Sequence, residues 1–149
     1  MEKNCLFCRI ARGEIPAHEV HRDDRLVAFL DIGPIREGHV QIVPHAHHET
    51  FEMLPPDLAA AILHLGQRIA KVQKALYGVD RIAFMFSGGD IAHAHAHLVP
   101  MVEKTDITSR RYIAEDKVTF RALPNPGDAA LRETAAALAA GLRGEPGGG

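Results

Sequence analysis

The sequence predicts an α+β domain, an antiparallel five-stranded sheet with one long helix packed on it and a second helix near the C-terminus. Three observations carry this reading. Short apolar, β-branched runs are separated by turn residues. One long stretch repeats its apolar residues at helical spacing. The strand-like runs also follow one another rather than alternating regularly with helices. The chain has 149 residues, enough for one core and too few for two ordinary domains.

Each element follows from its residues in order. Cys5 to Arg12 reads as a short helix stopped by Gly13 and Pro16. Two strands follow, His18–Arg22 and Leu26–Asp31, with Asp23-Asp24 turning between them. After the Gly33-Pro34 break, Gly38–Pro44 forms a third strand in which Val40 and Ile42 alternate with His39, Gln41 and Val43, making one face the more polar. Pro55-Pro56-Asp57 opens a long helix whose Leu58, Ile62, Leu65, Ile69, Val72 and Leu76 form one stripe, and Gly78 ends it. Arg81–Phe86 is the fourth strand, Ser87-Gly88-Gly89-Asp90 a tight loop, and Ala94–Met101 the fifth strand. Glu103–Arg111 is polar, with Asp106 or Thr108 available as a cap, and no role is assigned to it. Leu123–Gly127 reads as a linker, and Asp128 opens an alanine-rich helix to Arg143 with Leu131, Leu138 and Leu142 on one side. Residues 1–123 are expected to hold the principal domain. Residues 124–149 supply a C-terminal helix and a frayed tail at 146–149, within the same domain.

Composition narrows the function. Hydrophobic residues make up 46% and the net charge is −2, an ordinary globular balance without the footprint for duplex nucleic acid or an anionic membrane. No apolar run reaches spanning length, and the N-terminus leads into no signal-peptide core, so the expected location is the cytoplasm.

His93, His95 and His97 alternate with Ala94 and Ala96. Period two puts all three imidazoles on one face of a strand, and no packing argument asks for that. Imidazole serves near neutral pH as nucleophile, proton carrier or metal ligand, so the cluster marks a site. The adjacent glycines allow backbone amides near Gly88, Gly89 and His97 to approach an anion. Cys5 and Cys8 form a Cys-x-x-Cys pair, which reads as half of a zinc site, a redox pair or two buried thiols. The supply of histidines favours zinc.

These residues resemble the histidine triad family of nucleotide hydrolases and transferases. The likeness rests on His93-Ala94-His95-Ala96-His97-Leu98-Val99, on Cys5–Ile10 with Gly13-Glu14-Ile15-Pro16, and on Ala28–Ile32 followed by Gly38-His39-Val40 and Ile42–His47, in that order. It implies a homodimer acting on the α-phosphate of a purine nucleoside phosphoramidate or dinucleoside polyphosphate. By resemblance His95 is the nucleophile, His97 meets the phosphate and the leaving group, and His93 and His39 complete the cluster. Asp31 is similar to the residue that accepts from ribose hydroxyls, although by itself it also reads as a turn carboxylate. Phe7, Ile10, Phe29, Leu30 and Ile32 resemble the wall of the base site, with Ser87, Gly89 and Asp90 beside the phosphates. Cys5, Cys8, His47 and His93 match the structural Zn2+ ligands of one branch. The chain departs from the family in its short loop without asparagine, and Asp90 stands where a hydroxyl residue is usual. A nucleotide-binding regulatory module with little or no catalysis is therefore the alternative, and a hydrolase whose triad binds a catalytic ion is a third possibility.

Overall fold

The structure, a computed structural model, describes residues 4–144. The chain runs α1 (Leu6–Ala11), β1 (Glu19–Arg22), β2 (Leu26–Leu30), β3 (Val40–Pro44), α2 (Pro56–Tyr77), β4 (Ile82–Met85), β5 (Ala96–Pro100) and α3 (Asp128–Gly144), with 3-10 turns at Phe51–Met53 and Arg110–Tyr112. The five strands form one sheet in the order β1-β2-β3-β5-β4, and every neighbouring pair is antiparallel. This is the α+β architecture that the sequence predicts. The segment 146–149, expected to fray, lies outside the described residues.

Side-chain alternation divides the sheet into two faces. Leu26, Ala28, Leu30, Val40, Ile42, Ala96 and Leu98 face α2 and α3 and build the main core. Val27, Phe29 and Val43 face the other way and pack with Phe7, Ile10 and Ala11 of α1. Both faces of β2 and β3 are thus covered, and every residue in the two strands is buried. Helix α2 contributes Leu58, Ile62, Leu65, Ile69 and Val72, while α3 adds Leu131, Ala135, Leu138 and Leu142. A Cβ on Gly141 would come within 2.4 Å of Val72, so the two helices cross closely there.

Four expectations need correction. Leu76 continues the stripe by spacing but is 45% exposed, because Gln73 and Tyr77 take the inward face of the last turn of α2. Gln73 instead lies wholly buried there, and its Nε2 donates to the carbonyls of Gly38 (2.8 Å) and Leu98 (3.2 Å). The β4–β5 connection is no tight loop, since residues 86–95 separate the strands. The fifth strand begins at Ala96, so only His97 of the triad is a strand residue. Asp106 caps no helix. It accepts from the backbone N–H groups of Val102 and Glu103 and forms a two-pronged pair with Arg36 at 2.7 and 2.9 Å.

Gly38 is fixed by its surroundings. Its φ is +83°, and a Cβ there would lie 2.3 Å from the Tyr77 ring, so the turn into β3 accepts only glycine. That turn sets the register of His39 and Gln41 on the face opposite the main core. Among the described residues, no helix is long and apolar enough to cross a membrane.

Candidate functional site

The N-terminal helix brings its two cysteines against the segment before β5 and the segment after β3. Cys5 Sγ lies 3.4 Å from His93 Nδ1, and Cys8 Sγ lies 3.3 Å from His47 Nδ1 and 3.5 Å from His93 Nδ1. The two Nδ1 atoms are 3.3 Å apart, and the four ligand atoms all lie within 4.8 Å of one another. A tetrahedral zinc ion, about 2.3 Å from sulfur and about 2.0–2.1 Å from nitrogen, separates its ligand atoms by roughly 3.3–3.8 Å. The donor set and its spacing fit such an ion. His93 is fully buried, and its Nε2–H donates to the Pro44 carbonyl at 2.9 Å. That bond leaves Nδ1 as the lone-pair atom facing the thiols, the arrangement metal-binding histidines use. Burial pushes the His93 imidazole down to about 4, so it is neutral at pH 7, and burial beside Cys5 pushes the Cys8 thiol up.

The same segment carries the second centre. His95 Nδ1 lies 2.7 Å from the backbone carbonyl of His93. A carbonyl only accepts, so Nδ1 carries the proton and Nε2 is left with its lone pair. Phe7 packs edge-on against His95 at 5.0 Å and contacts His93 at 5.9 Å, and the rings of His95 and His97 are 5.0 Å apart.

A chain of donors likewise fixes His97. The backbone N–H of Ile35 donates to His39 Nδ1 at 3.2 Å, so the neutral His39 ring carries its proton on Nε2. That Nε2–H then donates to His97 Nδ1 at 2.9 Å. With Nδ1 accepting, neutral His97 bears its proton on Nε2. Burial lowers His39 and takes His97 down to about 4, so both rings are neutral near pH 7. Two adjacent imidazoles are thereby given opposite tautomers, an unprotonated Nε2 on His95 and an Nε2–H on His97.

Asp31 closes the row beyond β2. Its Oδ1 accepts from the Gly33 N–H at 2.8 Å and its Oδ2 from Gln41 Nε2 at 2.7 Å, with His39 Nε2 3.9 Å from Oδ2. Phe7, Ile10 and Phe29 form one apolar cluster on this side of the sheet, the rings of Phe7 and Phe29 being 5.7 Å apart. Leu30 does not join them. Alternation along β2 sends its side chain into the main core on the opposite face. Ile32 lies past the end of β2 and is 60% exposed. Ser87 lines a cleft of about 200 Å³ with Gly88, Ile91, His93, His95, Glu49, Phe51 and Phe86. Gly89 and Asp90 are exposed and are not in its lining.

Backbone groups and one polar strand residue were not visible as site components in the sequence. The Pro44 carbonyl, the His93 carbonyl and the Ile35 amide set three imidazoles, and a sequence carries no mark of them. Gln41 did leave a trace, as the polar residue in an otherwise apolar strand.

A sheet covered on both faces that joins a Cys2His2 cluster to a row of interlocked imidazoles defines a class of small α+β proteins built around histidine chemistry. The chain belongs to the HIT domain family, whose model matches residues 12–104. Over 110 residues it is 33% identical to the adenosine 5′-monophosphoramidase of Candida albicans, across 65% of this chain and 70% of that protein. Over 109 residues it is 31% identical to an adenylylsulfatase of Arabidopsis thaliana, across 70% of this chain but only 55% of that protein. A zinc-bound histidine triad family protein from Mycobacterium smegmatis shares the fold with a TM-score of 0.69 at 28% identity, over 94% of each chain. A HIT-like protein from Bartonella henselae matches 95% of this chain and 98% of its own with a TM-score of 0.74 at 23% identity, a likeness of fold.

Proposed function

We propose that this protein is a nucleotide hydrolase or transferase that attacks the α-phosphate of a purine nucleoside phosphoramidate or dinucleoside polyphosphate through His95. The opposite tautomers of His95 and His97 carry the reading, because they supply a nucleophile and a hydrogen-bond donor side by side. His95 Nε2 forms a bond to the α-phosphorus while the bond to the leaving amine or phosphate breaks. The His97 Nε2–H donates a hydrogen bond to that leaving group, which departs with a proton taken from solvent. Water then attacks the nucleotidyl-histidine and returns a proton to solvent, releasing the nucleoside monophosphate and restoring neutral His95. The relatives that act on adenylyl amide and sulfate bonds support a purine nucleotide and an α-phosphate target.

In this scheme Asp31 receives the ribose, and Phe7, Ile10, Phe29 and Ile32 border the base. Ser87, Gly89 and Asp90 lie toward the leaving side, with His39 holding His97. Cys5, Cys8, His47 and His93 would hold a structural zinc ion, which when bound ties α1 to the segments carrying the imidazoles. A homodimer would cover the free edge of β4, where Phe84 is partly exposed and the exposed Phe51 lies against Phe86, since an unpaired strand edge is a template for pairing. The free thiols of Cys5 and Cys8 are compatible with a reducing compartment such as the cytoplasm.

The test is turnover of an adenosine phosphoramidate with mass-spectrometric detection of adenylylated His95 after brief exposure. His95→Ala should fold and bind nucleotide yet lose turnover and the adduct. Nucleotide binding by the native protein without any turnover would instead support the regulatory-module alternative and sink the enzyme reading.

A further inference from the structure

Gln41 occupies the middle of a row that crosses the sheet. It stands in register with Phe29 of β2 on one side and His97 of β5 on the other. Adjacent strands lie about 4.8 Å apart, so Phe29 and His97 are separated by about 10 Å, a span comparable to that between the base and the α-phosphate of a nucleotide. What lies between those two parts of a nucleotide is the sugar.

The side chain is buried, only 8% exposed. Its Nε2 donates to Asp31 Oδ2 at 2.7 Å, which fixes the orientation of the amide. The other amide atom, Oε1, is buried and has no hydrogen-bond partner among the described residues. Buried acceptors are nearly always satisfied in native proteins, and leucine would fill the same volume without an orphan oxygen. Since Oε1 and Nε2 share one carbon, the unpartnered acceptor sits beside the Asp31 carboxylate. The pair offers acceptors to a ligand group that presents neighbouring donors. A vicinal diol is such a group.

Resting on the function proposed above, we infer that Gln41 is a specificity-determining residue for the sugar of the nucleotide. Its Oε1 accepts a hydrogen bond from one ribose hydroxyl, and its Nε2 holds the Asp31 carboxylate toward the diol. Discrimination then follows from loss: a sugar lacking that hydroxyl leaves the buried oxygen unpaired.

The experiment measures Kd by calorimetry for AMP, 2′-deoxy-AMP and 3′-deoxy-AMP, with the native protein, Gln41→Leu and Gln41→Met. The native protein should favour AMP over at least one deoxynucleotide by about tenfold. Both variants should bind AMP about tenfold more weakly and that deoxynucleotide within about twofold of native, so that the preference collapses. Two near-isosteric variants guard against one failing to fold, which circular dichroism reports. An AMP-to-deoxy ratio unmoved in the variants, or equal weakening of all three ligands, would overturn the assignment while leaving the parent function intact. A native protein that binds none of the three and turns over no phosphoramidate would overturn the parent function, and this inference with it.

Discussion

His39→Phe isolates the tautomer relay from the rest of the site. Phenylalanine fills the space of the buried ring but removes two hydrogen bonds, the one accepted from the Ile35 N–H at 3.2 Å and the one donated to His97 Nδ1 at 2.9 Å. Each buried group left unsatisfied costs about 1–3 kcal/mol, so a stability loss of about 2–6 kcal/mol is expected in chemical denaturation. His97 remains present and neutral, but its proton is no longer held on Nε2. A positioned hydrogen-bond donor at the reacting phosphate is worth about 10²–10³-fold, and a misplaced proton should forfeit about 10–100-fold of it in kcat/KM. The informative assay uses a series of adenosine phosphoramidates whose leaving amines range from weakly basic anilines to alkylamines. A weakly basic amine bears the electron pair of the broken bond better and departs with less help, so the His39→Phe defect should grow as the amine becomes more basic. His39→Gln, whose amide can donate to His97, should restore part of the rate. A defect of equal size for every amine, unrelieved in His39→Gln, would refute the hydrogen-bond-donor role of His97 and leave His39 a packing residue.

Cys8→Ser should lower the thermal midpoint, and a strong chelator should bring the native protein down toward the variant while little affecting the variant itself; equal chelator sensitivity of both would count against the Cys5–Cys8–His47–His93 cluster as a metal site. Gly38→Ala meets both a φ of +83° and the Tyr77 ring, and a loss of about 2–4 kcal/mol in urea unfolding is expected, most of it recovered in a Gly38→Ala, Tyr77→Leu double variant. Arg36 holds the Asp106 carboxyl down to about 2. A carboxylate with a lowered folded-state pKa stabilises above its unfolded value near 3.9 and loses that contribution as pH falls through about 2. The midpoint of Arg36→Met should therefore fall below native at pH 5–7 and converge with it near pH 2, and a gap that persists at low pH would assign the effect to packing.

Much of this was legible in the sequence, because residue type and period encode it directly. Strand and helix positions followed the apolar pattern to within a residue or two, and both faces of β2 and β3 being covered explains their unbroken apolar runs. The misreadings arise where a local repeat is carried further than the geometry of its element allows. Leu76 keeps a seven-residue repeat that a 3.6-residue helix outruns, so Gln73 and Tyr77 turn inward in its place, Leu30 is adjacent to Phe29 in sequence but opposite to it in space, and alternation in His93–His97 begins before the hydrogen-bonded strand does. Arg36 and Asp106 lie far apart in the chain, and nothing local announces their pairing.

The alternation of the triad is best understood through His93, whose three polar groups point to three different places. Its Nδ1 faces the thiols and His47, its Nε2–H is held by the Pro44 carbonyl, and its own carbonyl accepts from His95 Nδ1. The residue that anchors the cysteine-bearing helix is therefore also the one that sets the tautomer of the proposed nucleophile. A two-residue spacing is what this requires, because it returns the next side chain to the same face within reach of the preceding carbonyl. The third histidine repeats the step and enters β5, where the register with Gln41 and the donor from His39 take over. Removing the Cys5–Cys8 anchor should accordingly affect catalysis through the placement of His93, raising the spread of His95 conformations rather than removing a reacting group. Crystallographic or NMR evidence for a single, native-like His95 rotamer in a Cys8→Ser protein would break that link and confine the cluster to stability alone.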